Sequence, residues 1–198
     1  MDEILDVTLL VAHVLEQLDI PYLVGGSLAS SLHGIPRATQ DVDLVARMEL
    51  RHVAPFIAAL RGTFYLDEGA IQEAVRDRMS FNLIHLGTLF KVDIFVAGDD
   101  AASRSQMERR RTFEVGDEPR RDLVLASPED VIAHKLYWFS LGDEVSERQW
   151  SDAVGVLRVN AGRLDMAYLQ RIAGLRGVAE LLLRACAEVG VQLPDRER

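Results

Sequence analysis

The chain has a single cysteine, Cys186, in 198 residues. This excludes an internal disulfide and a cysteine-rich zinc site, and it suits a reducing compartment. Positive charge is also scarce: 22 Lys and Arg stand against 31 Asp and Glu, a formal net charge of −9. A chain of that sign does not attract polyanions through its overall field, so a histone-like or polybasic nucleic-acid binder is excluded. No apolar run approaches the roughly 18 residues of a membrane span. The opening residues MDEILDV are acidic where a secretory signal is basic. The expectation is a soluble, cytoplasmic protein with no membrane partner. Six prolines and fourteen glycines are too few for a disordered chain, and 48% apolar content is ample for a packed core.

Familiar catalytic signatures are missing too. There is no GxSxG, GxGxxG or GxxxxGK[ST], so the hydrolase-elbow, dinucleotide and P-loop readings lack their motifs. The five histidines, at 13, 33, 52, 85 and 134, never fall in HxxxH or HExxH spacing, which speaks against a zinc hydrolase.

What is present reads as two textures. Apolar residues at helical spacing predict an amphipathic helix over 2–19, stopped by Pro21. Tyr22-Leu23-Val24 predicts a short strand, and 28–33 a helix closed by Gly34 and Pro36. Residues 41–46, DVDLVA, alternate acid and apolar like a strand with one polar face. Helices are predicted over 49–60, 69–78 and 101–111, and strands over 63–66 and 122–125. Residues 80–86 and 89–96, separated by Gly87-Thr88, read as a hairpin. From Ser127 onward only helices are expected, with Ser127, Ser146 and Asp165 as caps and the last helix over 178–189. The expected organisation is an α/β core over 1–126 and a helical region over 127–198 packed on it as one compact unit.

The chemistry concentrates between Gly25 and Asp43. Gly25-Gly26-Ser27 between a strand and a helix exposes N–H groups at a helix N-terminus, which favours an anion; the bland alternative is a sterically required turn. Asp41 and Asp43 share one strand face about 6.6 Å apart along the chain. They form either a solvated edge or a platform for a divalent cation. Asp93 sits inside the apolar run Phe90–Val96, where an uncompensated carboxylate is costly. Beside Asp41 and Asp43 it would complete an oxygen-only site of the kind that suits Mg²⁺ with phosphate ligands.

These residues resemble the nucleotidyltransferase superfamily that includes DNA polymerase β and kanamycin nucleotidyltransferase. The resemblance rests on Gly-Gly-Ser, Asp41-Val42-Asp43 and a later strand Asp, over about residues 20–96. Arg37-x-Thr39, Ser127-Pro128-Glu129-Asp130 and Lys135 are similar to the stand-alone bacterial branch that holds the AbiEii-type toxins. The resemblance implies an α+β fold: a nucleotidyltransferase-like mixed β-sheet flanked by helices, with an all-α C-terminal part. It implies that Gly25, Gly26 and Ser27 bind the triphosphate of an NTP, that Asp41, Asp43 and Asp93 ligate Mg²⁺, and that Asp93 serves the acceptor hydroxyl. Arg37 and Lys135 are carried over as further phosphate contacts, against the alternatives of a surface Arg and a solvated helix face.

The implied activity is transfer of a nucleoside monophosphate to an acceptor hydroxyl on tRNA, protein or a small molecule, with pyrophosphate released. A toxin would add an antitoxin protein as partner. The alternative is a non-catalytic nucleotide-binding interaction module of the same fold. Three lesser readings complete the set. Arg148 and Asp152 are spaced to pair across a helical turn. Tyr137, Trp138, Phe139 and Trp150 read as core or interface. The run 104–121 carries six arginines against four acids, either a solvated face or a path for RNA or a phosphate-bearing substrate.

Overall fold

The computed structural model describes residues 2–116, 118 and 120–194. Contacts divide them into two compact units: one runs to Leu28 and resumes over Ala38–Leu125, and the other joins Ala29–Arg37 to the chain from Ala126 onward.

The first unit is built on a seven-stranded mixed sheet. Its strands are β1 (Tyr22–Val24), β2 (Asp41–Ala46), β3 (Phe64–Tyr65), β4 (Ser80–His85), β5 (Lys91–Val96), β6 (Arg111–Val115) and β7 (Arg121–Leu125), in the order β3-β4-β5-β2-β1-β7-β6. β2 pairs antiparallel with β1 and parallel with β5, and β1 pairs parallel with β7. The period-two pattern read from the sequence sorts the central strands by face. Val42, Leu44, Val92 and Ile94 are fully buried. Helices α1 (Asp2–Gln17), α3 (Leu50–Leu60), α4 (Glu68–Asp77) and α5 (Ala101–Arg109) belong to this unit. Phe56 of α3 meets Phe81 of β4 edge to face at 6.1 Å between ring centroids.

α2 (Gly26–His33) starts in the first unit and continues into the second. The second unit is otherwise helical: α6 (Pro128–Leu141), α7 (Glu147–Val159), α8 (Met166–Leu175) and α9 (Ala179–Val189). Ser127 caps α6, accepting from the Asp130 N–H at 3.2 Å, and Asp165 caps α8, accepting from the Tyr168 N–H at 3.0 Å. The Ser146 hydroxyl accepts from the Gln149 N–H, but the Gln149 side-chain oxygen is buried without a hydrogen-bond partner. Ser146 therefore caps α7 without the return bond from Gln149 that would complete a capping box. The α+β class therefore holds, with a mixed sheet and helices after residue 126.

Two elements depart from the sequence pattern. The helix expected over 101–111 ends at Arg109, and Arg111 opens β6, which pairs antiparallel with β7. The β4–β5 hairpin turns over residues 86–90 rather than over Gly87-Thr88 alone, with Leu89 in the left-handed region at φ 61°. No helix among the described residues is long and apolar enough to cross a membrane.

Candidate active site

The turn after β1 is fastened to β2 before any ligand is considered. The Gly25 N–H donates to the Asp43 carbonyl at 2.8 Å. Gly26 follows with φ 56°, a left-handed conformation that disfavours any side chain. Space imposes the same requirement, because a Cβ at Gly26 would fall 2.7 Å from the Asp43 Cβ and overlap its carboxylate. The Asp43 side chain is thereby laid against the backbone that opens α2, the end of a helix where negative charge is stabilised. Ser27 follows in the first turn of α2, partly accessible. At the start of β2, the Thr39 hydroxyl donates to the Asp41 carbonyl at 3.1 Å.

The register of β2 against β5 sets the three carboxylates. Asp41 is paired with Lys91 and Asp43 with Asp93. Partners in a ladder point to the same side of the sheet, as do residues two apart in one strand. Asp41, Asp43 and Asp93 therefore occupy one face, opposite the buried Val42, Leu44, Val92 and Ile94. Asp41 is exposed, Asp43 is partly accessible, and the Asp93 side chain is 22% exposed.

Lys91 belongs to the same face and was not singled out in the sequence. Its Nζ lies 2.8 Å from Asp93 Oδ2, with 43% of the side chain exposed. The hydrogen bond to Asp93 raises the Lys91 pKa against a smaller desolvation penalty, and the charges of Asp93, Asp41 and Asp43 add to the rise. The signal was the Lys-x-Asp spacing in a strand, which places the ammonium beside the carboxylate it accompanies.

The donor set suits Mg²⁺: three carboxylates, no soft ligand, and one open face of the sheet. As they stand, no three His, Cys, Asp or Glu side chains among the described residues converge closely enough to hold an ion. Convergence would require side-chain rotation, since the backbone itself only places the three carboxylates on one side of the sheet.

Arg37 and Lys135 have a shared partner within the second unit. Arg37 Nε and Nη2 each donate to the Asp152 carboxylate at 2.8 Å, and Lys135 Nζ lies 2.8 Å from the same group. The Ser30 hydroxyl adds a bond of 3.1 Å. Burial alone would raise the Asp152 carboxyl, but the hydrogen bonds and charges of Arg37 and Lys135 outweigh it and hold it below the usual value. Asp152 was expected opposite Arg148, one turn away; it is instead enclosed by residues up to 122 positions distant. Lys135 is buried, which removes the solvated-face alternative.

The Ser127–Asp130 motif is structural in its contacts. The Ser127 and Tyr168 hydroxyls donate to the buried Asp130 carboxylate at 2.6 and 2.7 Å, and the buried Glu129 accepts from the Asp165 N–H at 2.8 Å. The arginine run is largely engaged as well. Arg104 and Arg110 donate to the carbonyls of Asp99 and Met107, Arg120 pairs with Glu114 and Arg121 with Asp6. Asp117, one of the acids counted in that run, lies outside the described residues.

No protein-family model matches the chain, and no curated protein matches it. Solved structures do. The antibiotic-resistance factor ANT(2'')-Ia aligns over 95% of this chain and 99% of its own at 16% identity, with a TM-score of 0.55. An antigenic nucleotidyltransferase-like protein from Paracoccidioides brasiliensis aligns over 94% of this chain and 93% of its own at 19% identity, with a TM-score of 0.57. The chain has the nucleotidyltransferase fold.

Proposed function

We propose that the protein transfers a nucleoside monophosphate from an NTP to an acceptor hydroxyl and releases pyrophosphate. The observation that carries this reading is the register that puts Asp93 beside Asp43 on the face of Asp41. In the proposed reaction the acceptor oxygen bonds to the α-phosphorus, the bond from that phosphorus to the bridging oxygen breaks, and pyrophosphate departs. The Asp93 carboxylate takes the acceptor's proton, the role its partly accessible position allows. The Gly25-Gly26-Ser27 turn receives the triphosphate through backbone N–H groups and the Ser27 hydroxyl. Asp41, Asp43 and Asp93 are the residues that would hold Mg²⁺, which when bound neutralises phosphate charge. Arg37 and Lys135, expected on the triphosphate, are proposed here only as the fixed cationic partners of Asp152.

The experiment is pyrophosphate release from each NTP with Mg²⁺, against a panel of tRNA, protein and small-molecule acceptors. Turnover that requires one acceptor class and vanishes in Asp43→Asn supports the reading and names the acceptor. A candidate antitoxin enters the same assay as an inhibitor. NTP binding with no pyrophosphate release from any acceptor would favour the non-catalytic nucleotide-binding module instead.

A further inference from the structure

We infer that Lys91 is a resident counter-ion of the carboxylate platform, and that a divalent cation gains Asp93 as a ligand only by displacing the Lys91 ammonium from it. The inference rests on the metal-dependent reading above and extends it to a residue that reading does not use.

Three observations carry it. Lys91 stands opposite Asp41 across the ladder, two residues before Asp93 in its own strand and diagonal to Asp43, so one cation is flanked by all three acids. Its Nζ is on Asp93 Oδ2 at 2.8 Å, so the ammonium already neutralises the carboxylate that a cation shared with Asp43 would have to draw on. The three carboxylates do not converge on a common point, while the one nearest to Asp43 in register is held by Lys91.

Without some cation the face would hold three like charges on neighbouring positions, whose mutual repulsion works against the fold. The ammonium relieves that repulsion in the metal-free protein. It is also suited to leave. A lysine presents a point charge on a flexible four-carbon stem, and this one is 43% exposed, with solvent to receive it. An arginine fork would hold the carboxylate in two places and release it less readily. The arrangement therefore trades metal affinity for order in the empty site.

The test measures Mn²⁺ binding by electron paramagnetic resonance and thermal unfolding with and without Mg²⁺, on the full chain. Wild type is compared with Lys91→Met, Lys91→Arg and the remote charge control Arg61→Met, whose side chain is exposed and paired with Glu68. Lys91→Met is expected to melt below wild type when metal-free, to bind Mn²⁺ roughly tenfold more tightly, and to recover its melting temperature as Mg²⁺ is added. Lys91→Arg is expected to bind Mn²⁺ no more tightly than wild type. A lysine with a merely structural role would lower stability and metal affinity together, which overturns the inference. Equal tightening in Arg61→Met overturns it as well, because loss of one positive charge anywhere would then suffice. Wild type and Lys91→Met binding Mn²⁺ equally defeats the inference alone. Absence of Mn²⁺ binding and of any Mg²⁺ response in every variant defeats the metal-dependent reading along with it.

Discussion

Gly26 and Asp43 compete for one small volume, and the glycine yields it: a Cβ at position 26 would overlap the Asp43 carboxylate. The opening of α2 and the middle of β2 are thus adjusted to each other residue by residue, with the Gly25 N–H on the Asp43 carbonyl fixing the depth of the turn. The pair explains why glycine is needed at this turn in a way that a general preference for glycine does not.

Gly26→Ala should therefore be costly twice over. The left-handed backbone adds roughly 1–2 kcal/mol of strain for a residue with a Cβ, and overpacking typically adds about 1–3 kcal/mol. Gly25→Ala, with nothing within 4 Å of its added carbon, should stay within about 0.5 kcal/mol of wild type. Urea unfolding of both variants decides it. Equal stabilities would mean that Asp43 moves aside freely and the turn is not fitted to it.

The strands that build the site were legible because their residues alternate. DVDLVA and KVDIFV each put apolar side chains on one face and acids on the other, and a parallel pairing then brings the acids together. β6 was not legible. Its burial runs exposed, exposed, partial, exposed, buried, a weak alternation in an arginine-rich stretch that continued the preceding helical pattern. Lys91 lay inside the run Phe90–Val96 and was not singled out. Asp152 was assigned the wrong partner because local spacing favours i,i+4, whereas its cations come from a loop 115 residues earlier and from a different helix. A single sequence carries periodicity, and it carries no direct record of contacts between distant positions.

Removing the Asp152 carboxylate should expose how much its enclosure matters. Asp152→Ala leaves Lys135 buried and Arg37 half-buried, both facing a vacated carboxylate. Breaking a buried pair from one side costs about 3–5 kcal/mol. The double variant Asp152→Ala, Lys135→Met should recover part of that loss, since the buried charge goes with its partner. Denaturant titration of the two variants is the measurement. A single variant within 1 kcal/mol of wild type would mean water already serves both cations.

His33 gives the stability a dependence on pH of known sign. The buried ring bonds the Ala126 carbonyl through Nε2 at 2.8 Å, and desolvation lowers its pKa against the raising effects of that bond and of Glu129. The unfolded chain then takes up a proton near pH 6.5 that the folded chain refuses, so stability is full above about pH 6.5 and falls as pH drops below it. His134 acts in the same direction: its Nε2 accepts from the Trp138 indole N–H, and desolvation, with the charges of Arg176 and Lys135, pushes it down to about 3. Each group contributes a slope of at most about 1.4 kcal/mol per pH unit, reached where the unfolded chain is protonated and the folded chain is not. His33→Gln keeps an N–H for the Ala126 carbonyl and should make the loss of stability less steep just below pH 6.5. Unfolding free energies measured at several pH values test this through the slope, whatever the variant does to absolute stability. An unchanged slope would show that His33 is protonated in the folded chain.

Asp93→Asn separates the chemical role of that carboxylate from its place in the sheet. The substitution keeps the shape and the ladder pairing with Asp43, while removing the negative charge and the capacity to take a proton. Loss of a positioned general base typically costs about 10²–10⁴-fold in rate, and loss of a metal-facing charge adds to it. Pyrophosphate release should therefore fall by at least two orders of magnitude. NTP affinity should remain near wild type, because the Gly25–Ser27 turn with Asp41 and Asp43 is intact. Asp99→Asn, an exposed acid outside β5 that pairs with Arg78, serves as the control and should leave turnover unchanged. The paired readout distinguishes roles. If affinity and turnover fall together in Asp93→Asn, the residue holds the nucleotide rather than the acceptor's proton. If neither falls, the shared side of Asp41, Asp43 and Asp93 is simply a solvated face of the sheet, and the proposed chemistry has no seat there.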